Sequence, residues 1–170
     1  MKKPVLIFIV AAIVAGVGAL ALSALGKPPI IQPIQFNHKL HTQDVGLDCI
    51  ECHQFYKTQQ FSGLPGVDIC LGCHEEALTK SPEEEKIRKI KAAGGQIEWK
   101  RIYNIENHVF YSHRRHVVLA GLQCVNCHGE IDKTTSPPTA PLKKIDMDFC
   151  LDCHRKNKYP ITEDCIACHK

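Results

Sequence analysis

Cys49-Ile-Glu-Cys52-His53, Cys70-Leu-Gly-Cys73-His74, Cys124-Val-Asn-Cys127-His128, Cys150-Leu-Asp-Cys153-His154 and Cys165-Ile-Ala-Cys168-His169 are five copies of one pattern. Together they use all ten cysteines of the 170-residue chain. C-x-x-C-H is the attachment signature of c-type haem. Two thiols three positions apart on one helical turn can each add across a haem vinyl group, and the adjacent imidazole then reaches the iron as proximal ligand. Disulfides in an exported chain would not require a His after every second Cys. Zinc knuckles need four ligands and usually pair, which five motifs cannot do evenly. A thioredoxin-like motif comes singly, in a βαβ context that this chain lacks. The ten cysteines are therefore the expected attachment points of five covalent haems, with His53, His74, His128, His154 and His169 as proximal ligands.

Five histidines remain: His38, His41, His108, His113 and His116. Five irons each need a sixth ligand, so the count closes on five bis-histidine, six-coordinate sites. Four of the five come as H-x-x-H pairs, and positions i and i+3 of a helix share a face, so one segment can serve two haems. Met147 is the alternative ligand, because Met/His ligation is known and raises the potential.

The composition agrees. Lys plus Arg is 21 and Asp plus Glu 18, a net charge of +3, without the basic excess of a nucleic-acid binder. Aromatics are 6% of residues, thin for a conventional core. Propionates on five haems would carry the balance to about −2 with all irons ferric and about −7 with all ferrous. Arg114, Arg115, Lys143 and Lys144 are candidate propionate partners.

Val5 to Leu25 carries no charge, and Lys2 and Lys3 precede it. As a helix this run spans roughly 30 Å, the thickness of a bilayer's hydrocarbon core. The positive-inside rule then leaves the N-terminus in the cytoplasm and everything after Lys27 outside. A cleaved signal peptide is the competing reading, with small residues near Leu22, Ser23 and Ala24 as its site. The run exceeds an ordinary signal-peptide core, which favours a retained anchor over residues 1–27.

Phe36-Asn-His38-Lys-Leu-His41, seven residues, then Cys49 returns as Tyr111-Ser-His113-Arg-Arg-His116, seven residues, then Cys124, an offset of 75 throughout. A second motif follows each, after Asp68-Ile and Asp148-Phe. The haem domain, 28–170, thus divides into a first dihaem unit at 36–80, a helix and linker at 81–107, a second dihaem unit at 108–154 and a fifth haem at 155–170. Ser81 with Glu84 reads as a capping box, Pro82 suits the first helical position, and Gly94 and Gly95 end the helix. Its charge run reads as a solvated face. Trp99 and Tyr103 are expected against haem edges or a partner, and 134–141 as a loop. The expected fold is mostly coil with short α-helices, one N-terminal transmembrane helix and little sheet. Its interior is built from porphyrin rather than side chains, as small scaffolds require.

Phe-Asn-His-x-x-His followed by C-x-x-C-H resembles the class III multihaem cytochromes. "GLPGVDICLGCH", "IEWKRIYNIENHVFYSHRRH", "QCVNCHG" and "FCLDCH" are similar to the membrane-associated pentahaem subunit of alternative complex III, a family with relatives in quinone reductase complexes. The resemblance covers about residues 36–170. It implies electron transfer along five haems between an integral-membrane quinone-reactive subunit and periplasmic carriers, with other redox subunits alongside and no catalysis by this chain. By the class III analogy, His38 serves the Cys49/Cys52 haem and His113 the Cys124/Cys127 haem. If each unit is self-contained, His41 serves the Cys70/Cys73 haem and His116 the Cys150/Cys153 haem. His108 is then left for the Cys165/Cys168 haem. The rival readings are a multihaem reductase with one open iron position and, if the N-terminus is cleaved, a soluble periplasmic shuttle.

Overall fold

A computed structural model describes residues 3–24, 28–157 and 163–170. Its elements are α1 (Lys3–Ala24), a π-helical turn (Leu40–Asp44), α2 (Cys49–Cys52), α3 (Val67–His74), α4 (Pro82–Ala92), a second π-helical turn (Arg114–Leu119), α5 (Cys124–His128), a 3-10 turn (Ile131–Lys133), α6 (Met147–Lys156) and α7 (Cys165–Cys168). Among the described residues there is no β-strand, and one isolated antiparallel bridge joins Val109 to His169. Short helices set in coil are what the sequence leads one to expect.

α1 follows the uncharged run. Its described side chains, Val5 and Ile7 to Gly18, are exposed. Among the described residues no helix is long and apolar enough to cross a membrane. The rest of the expected 1–27 anchor falls partly on residues 1–2 and 25–27, outside the described residues. The anchor therefore rests on the sequence.

The apolar core is small. Ile34, Val67, Ile87 and Ile97 are buried, with Cys70, Leu71, Ile90 and Trp99 packed against them. These residues join α3 to α4 and to the segments on either side. Burying an aliphatic side chain contributes about 1.5–3 kcal/mol, so four of them cannot hold 170 residues. The accessible surface is 12729 Å², against about 8,400 Å² for a compact monomer of this mass. Part of that excess is α1. Apolar side chains are also left open elsewhere, at Phe55, Phe61, Phe110, Val125 and Ile166.

α4 departs from its expected cap. The Ser81 hydroxyl accepts from Glu83 N at 3.3 Å, and Pro82 takes the first position, but Glu84 does not return to Ser81. The Thr79 hydroxyl takes that role, accepting from Ser81 N at 3.0 Å and donating to Glu84 Oε1 at 2.6 Å. Glu84 Oε2 also accepts from Leu78 N at 2.8 Å. The chain before α4 thus folds over the carboxylate and buries it, and the charge run is not wholly a solvated face. Gly94, at φ +68°, ends the helix as expected.

Candidate haem-binding site

The 75-residue repeat is repeated in three dimensions. Phe36 meets His38 edge-on at 4.9 Å and stacks on His41 at 4.3 Å. Tyr111 meets His113 edge-on at 5.0 Å and stacks on His116 at 4.8 Å. His41 Nδ1 lies 2.8 Å from Asn37 O, and His116 Nδ1 lies 2.9 Å from Ser112 O. The H-x-x-H segments run into π-helical turns rather than the α-helix expected. Val45 N donates to Leu40 O at 2.9 Å and Ala120 N to Arg115 O at 3.0 Å, both five residues back. Gly46 and Gly121 close the turns at φ +81° and +68°, a left-handed conformation that favours glycine. A π-turn is wider than an α-turn, so imidazoles three positions apart diverge further and can address two different irons.

Each attachment helix is one to three turns long and starts from an extended residue. α5 carries a capping box that the sequence reading missed: Gln123 N donates to Asn126 Oδ1 at 2.8 Å, and the Gln123 side chain returns the bond. The Q-x-x-N spacing was its signal. Asp146 Oδ1 accepts from Phe149 N at 2.9 Å to start α6, and Asp164 Oδ1 from Ile166 N at 3.3 Å to start α7.

The histidines come together in twos. Ring centroids are 6.1 Å apart for His41 and His74, 6.2 Å for His113 and His128, and 6.3 Å for His116 and His154. Two imidazoles bonded to opposite sides of one metal at about 2 Å each have centroids about 6 Å apart. His108 and His169 are closer, at 5.4 Å, held by Phe110 N donating to Cys168 O at 2.8 Å and Lys170 N to His108 O at 2.9 Å. His38 is near His53: burial first, then His53, lowers its pKa to about 4. His128 is lowered to about 4 by burial, His113 and His53, and His113 is lowered by burial. Burial thus keeps these imidazoles neutral, the form that binds a metal. Met147, the alternative ligand, is exposed at the first position of α6.

Nδ1 is spoken for on five of these ten rings, which directs Nε2 elsewhere. Besides His41 and His116, His53 Nδ1 lies 2.8 Å from Gly63 O, His113 Nδ1 2.8 Å from Gln60 O, and His38 Nδ1 3.2 Å from Thr134 Oγ1. Two of these contacts are reciprocal between the repeats. The first repeat's His38 leans on the loop after the Cys124 motif, where Lys39 N also donates to Thr134 O at 3.0 Å and Thr42 Oγ1 to Asp132 O at 3.0 Å. The second repeat's His113 leans on the loop after the Cys49 motif, through both its ring and its amide to Gln60 O. Cys49 and Cys124, equivalent in the repeat, are neighbours, and their interaction pushes the Cys49 thiol up and the Cys124 thiol down. The units interlock.

The thiols also order the motifs in space. Cys52 lies in the field of Cys73, and Cys70 in that of Cys52. Cys49 lies beside Cys124. Cys127 lies in the field of Cys153, and Cys150 in those of Cys127 and Cys168. The motif at Cys70 is therefore followed by those at Cys49, Cys124, Cys150 and Cys165. The first motif of the sequence is second in space.

The residues fit c-type haem. All ten thiols are free, and the histidine of each motif has a second imidazole close by. Among the described residues no group of three or more His, Cys, Asp or Glu gathers as a metal cage. The imidazoles come in twos, as an iron already held by four porphyrin nitrogens requires. Of the proposed propionate partners, Lys143 donates to Val125 O and Asn126 O, and Lys144 pairs with Asp146 at 2.6 Å. Among the described residues Arg114 and Arg115 form no ion pair. Tyr103 packs edge-on to His128 at 4.6 Å, and Trp99 donates to Pro65 O at 2.8 Å within the apolar cluster.

Residues 109–170 match the family described as cytochrome c7 and related cytochrome c. The chain is also 29% identical over 161 residues to the multiheme cytochrome c subunit of menaquinone reductase from Nitratidesulfovibrio vulgaris, covering 82% of this chain and 77% of that one. The chain is thus related to the multihaem c-type cytochromes, and electron transfer is the class of function that this relationship implies.

Proposed function

We propose that the chain is a five-haem electron wire, held on the periplasmic face of the cytoplasmic membrane by its N-terminal segment, and that it is the cytochrome subunit of a quinone-reactive complex. The observation that carries this reading is the row of five motifs, each with a second imidazole beside its own. Haem, when bound, supplies a one-electron iron couple at each motif. The chain's residues would hold its two vinyl-derived edges through the thiols, direct five of the imidazoles through their Nδ1 contacts, and keep His38, His113 and His128 neutral by burial. Alternative complex III and menaquinone reductase are the two complexes this subunit would suit. The named relative favours menaquinone reduction, with electrons moving toward the quinone. The uncharged run from Val5 to Leu25 supports the anchor. A reductase with an open iron position would need a proximal imidazole without a second one near it, and each of the five has one.

The test is to solubilise membranes in detergent and isolate the native chain. The expected result is a complex with an integral-membrane quinone-reactive subunit, a cytochrome mass exceeding the polypeptide by five haems, and low-spin spectra that carbon monoxide does not alter. A water-soluble chain with a trimmed N-terminus supports the shuttle instead. Carbon monoxide binding to one reduced haem supports the reductase.

A further inference from the structure

Of the ten imidazoles, His74 is the one that an Asp or Glu carboxylate approaches to ion-pair distance among the described residues. Glu84 Oε1 lies 3.7 Å from its Nδ1. Glu84 is 5% exposed and is the buried charged residue of the described chain. It is held from behind by the Thr79 hydroxyl and the Leu78 and Thr79 amides, and Arg88 Nη1 stands 3.9 Å from its other oxygen. His74 Nδ1 is itself buried without a hydrogen-bond partner, as is Arg88 Nη1. The polar atom that a proximal histidine uses to set its orientation and basicity thus faces a fixed carboxylate across a gap of under one ångström beyond bonding distance. The other described Nδ1 contacts go to backbone carbonyls or to a hydroxyl, and α4, which carries Glu84, has no counterpart among the described residues of the second repeat.

We propose that Glu84 is the positioning carboxylate of His74, accepting its Nδ1–H and giving the ring anionic character, so that the haem on Cys70 and Cys73 is harder to reduce than its repeat-equivalent on Cys150 and Cys153. This rests on the reading of His74 as an iron ligand. A carboxylate behind a metal-bound imidazole makes it a stronger donor and favours the higher oxidation state of the metal. Two backbone amides, Leu78 N and Thr79 N, and the Thr79 hydroxyl donate to Glu84 and favour its ionised form.

The experiment is a spectroscopic redox titration of the purified five-haem protein and of Glu84→Gln. One of the five components is expected to move to higher potential by about tenfold in its reduction equilibrium, about 59 mV for a one-electron couple, with the other four unmoved. Thr79→Val removes a tether but leaves the charge; it is expected to lower stability without that shift. Should Glu84→Gln fail to mature, Arg88→Gln is expected to move the same component the opposite way, because the carboxylate loses its competing cation. Five haems with unchanged potentials in both Glu84→Gln and Arg88→Gln overturn the proposal and leave the electron-wire reading standing. An equal shift in Thr79→Val overturns it too, as a packing effect. A parent protein with no haem on Cys70 and Cys73 overturns both.

Discussion

The two repeats hold their histidines alike and their surroundings differently. Around Phe36 and Tyr111 the ring angles agree within a few degrees, 87° and 83° edge-on, 29° and 27° stacked. Yet every residue of the buried apolar cluster, Ile34, Val67, Ile87 and Ile97, lies ahead of the second dihaem unit. The described residues of 108–170 contribute none to it, and that part leans on a capping box, an aromatic ring beside His128, and short loops. Ligand geometry is therefore set by the local segment, an aromatic ring, a π-turn and a closing glycine. Packing around it decides only how far that geometry survives alone.

The largest effect should come from withholding haem altogether. In chain made without haem attachment, α3 and α4 should keep hydrogen-exchange protection while 109–170 exchanges as an unfolded segment; equal protection in both halves would break the contrast. Next, His41→Met and His116→Met should each leave a low-spin haem whose potential rises by about 0.1 V or more, within the roughly 0.8 V that axial ligands command. Matching shifts would sharpen the likeness of the repeats, and an unmoved spectrum in either variant would remove that histidine as a ligand. Ile87→Ala should cost about 2–5 kcal/mol in denaturant unfolding, as large-to-small core changes do. No residue of 108–170 should cost as much in the haem-free chain. Smallest is Thr134→Val. It removes the hydroxyl beside His38, about 0.5–1.5 kcal/mol for one hydrogen bond, whereas His113, tied to the Gln60 carbonyl, has no side chain to lose.

Much of this was legible in the residues. Five C-x-x-C-H motifs, the 75-residue offset and the five leftover histidines are spacing facts, and spacing survives folding. The π-turns were not legible, because H-x-x-H fits an α-turn equally well and the choice is made by a backbone bond five residues back. The capping box expected from Ser81 and Glu84 failed because Thr79, two residues before the cap, competes for the same carboxylate. The order of motifs in space was hidden for a different reason. It depends on how the repeats lean on one another, through His38 with Thr134 and His113 with Gln60, contacts 96 and 53 residues apart.

That mutual leaning has a consequence for direction. With Cys49 against Cys124 at the centre, the four motifs of the two repeats read outward in mirror order, first motif inside and second motif outside on each flank. The segment is a palindrome, the arrangement of a symmetric dimer whose two chains have become one. A palindromic conductor has no forward sense; an electron meets the same sequence of stations from either end. Polarity must then be appended. On one flank the α7 motif adds a fifth station beyond Cys150, and on the other α4 closes over His74. These two additions, lying outside the repeated part, are where the molecule tells its entrance from its exit.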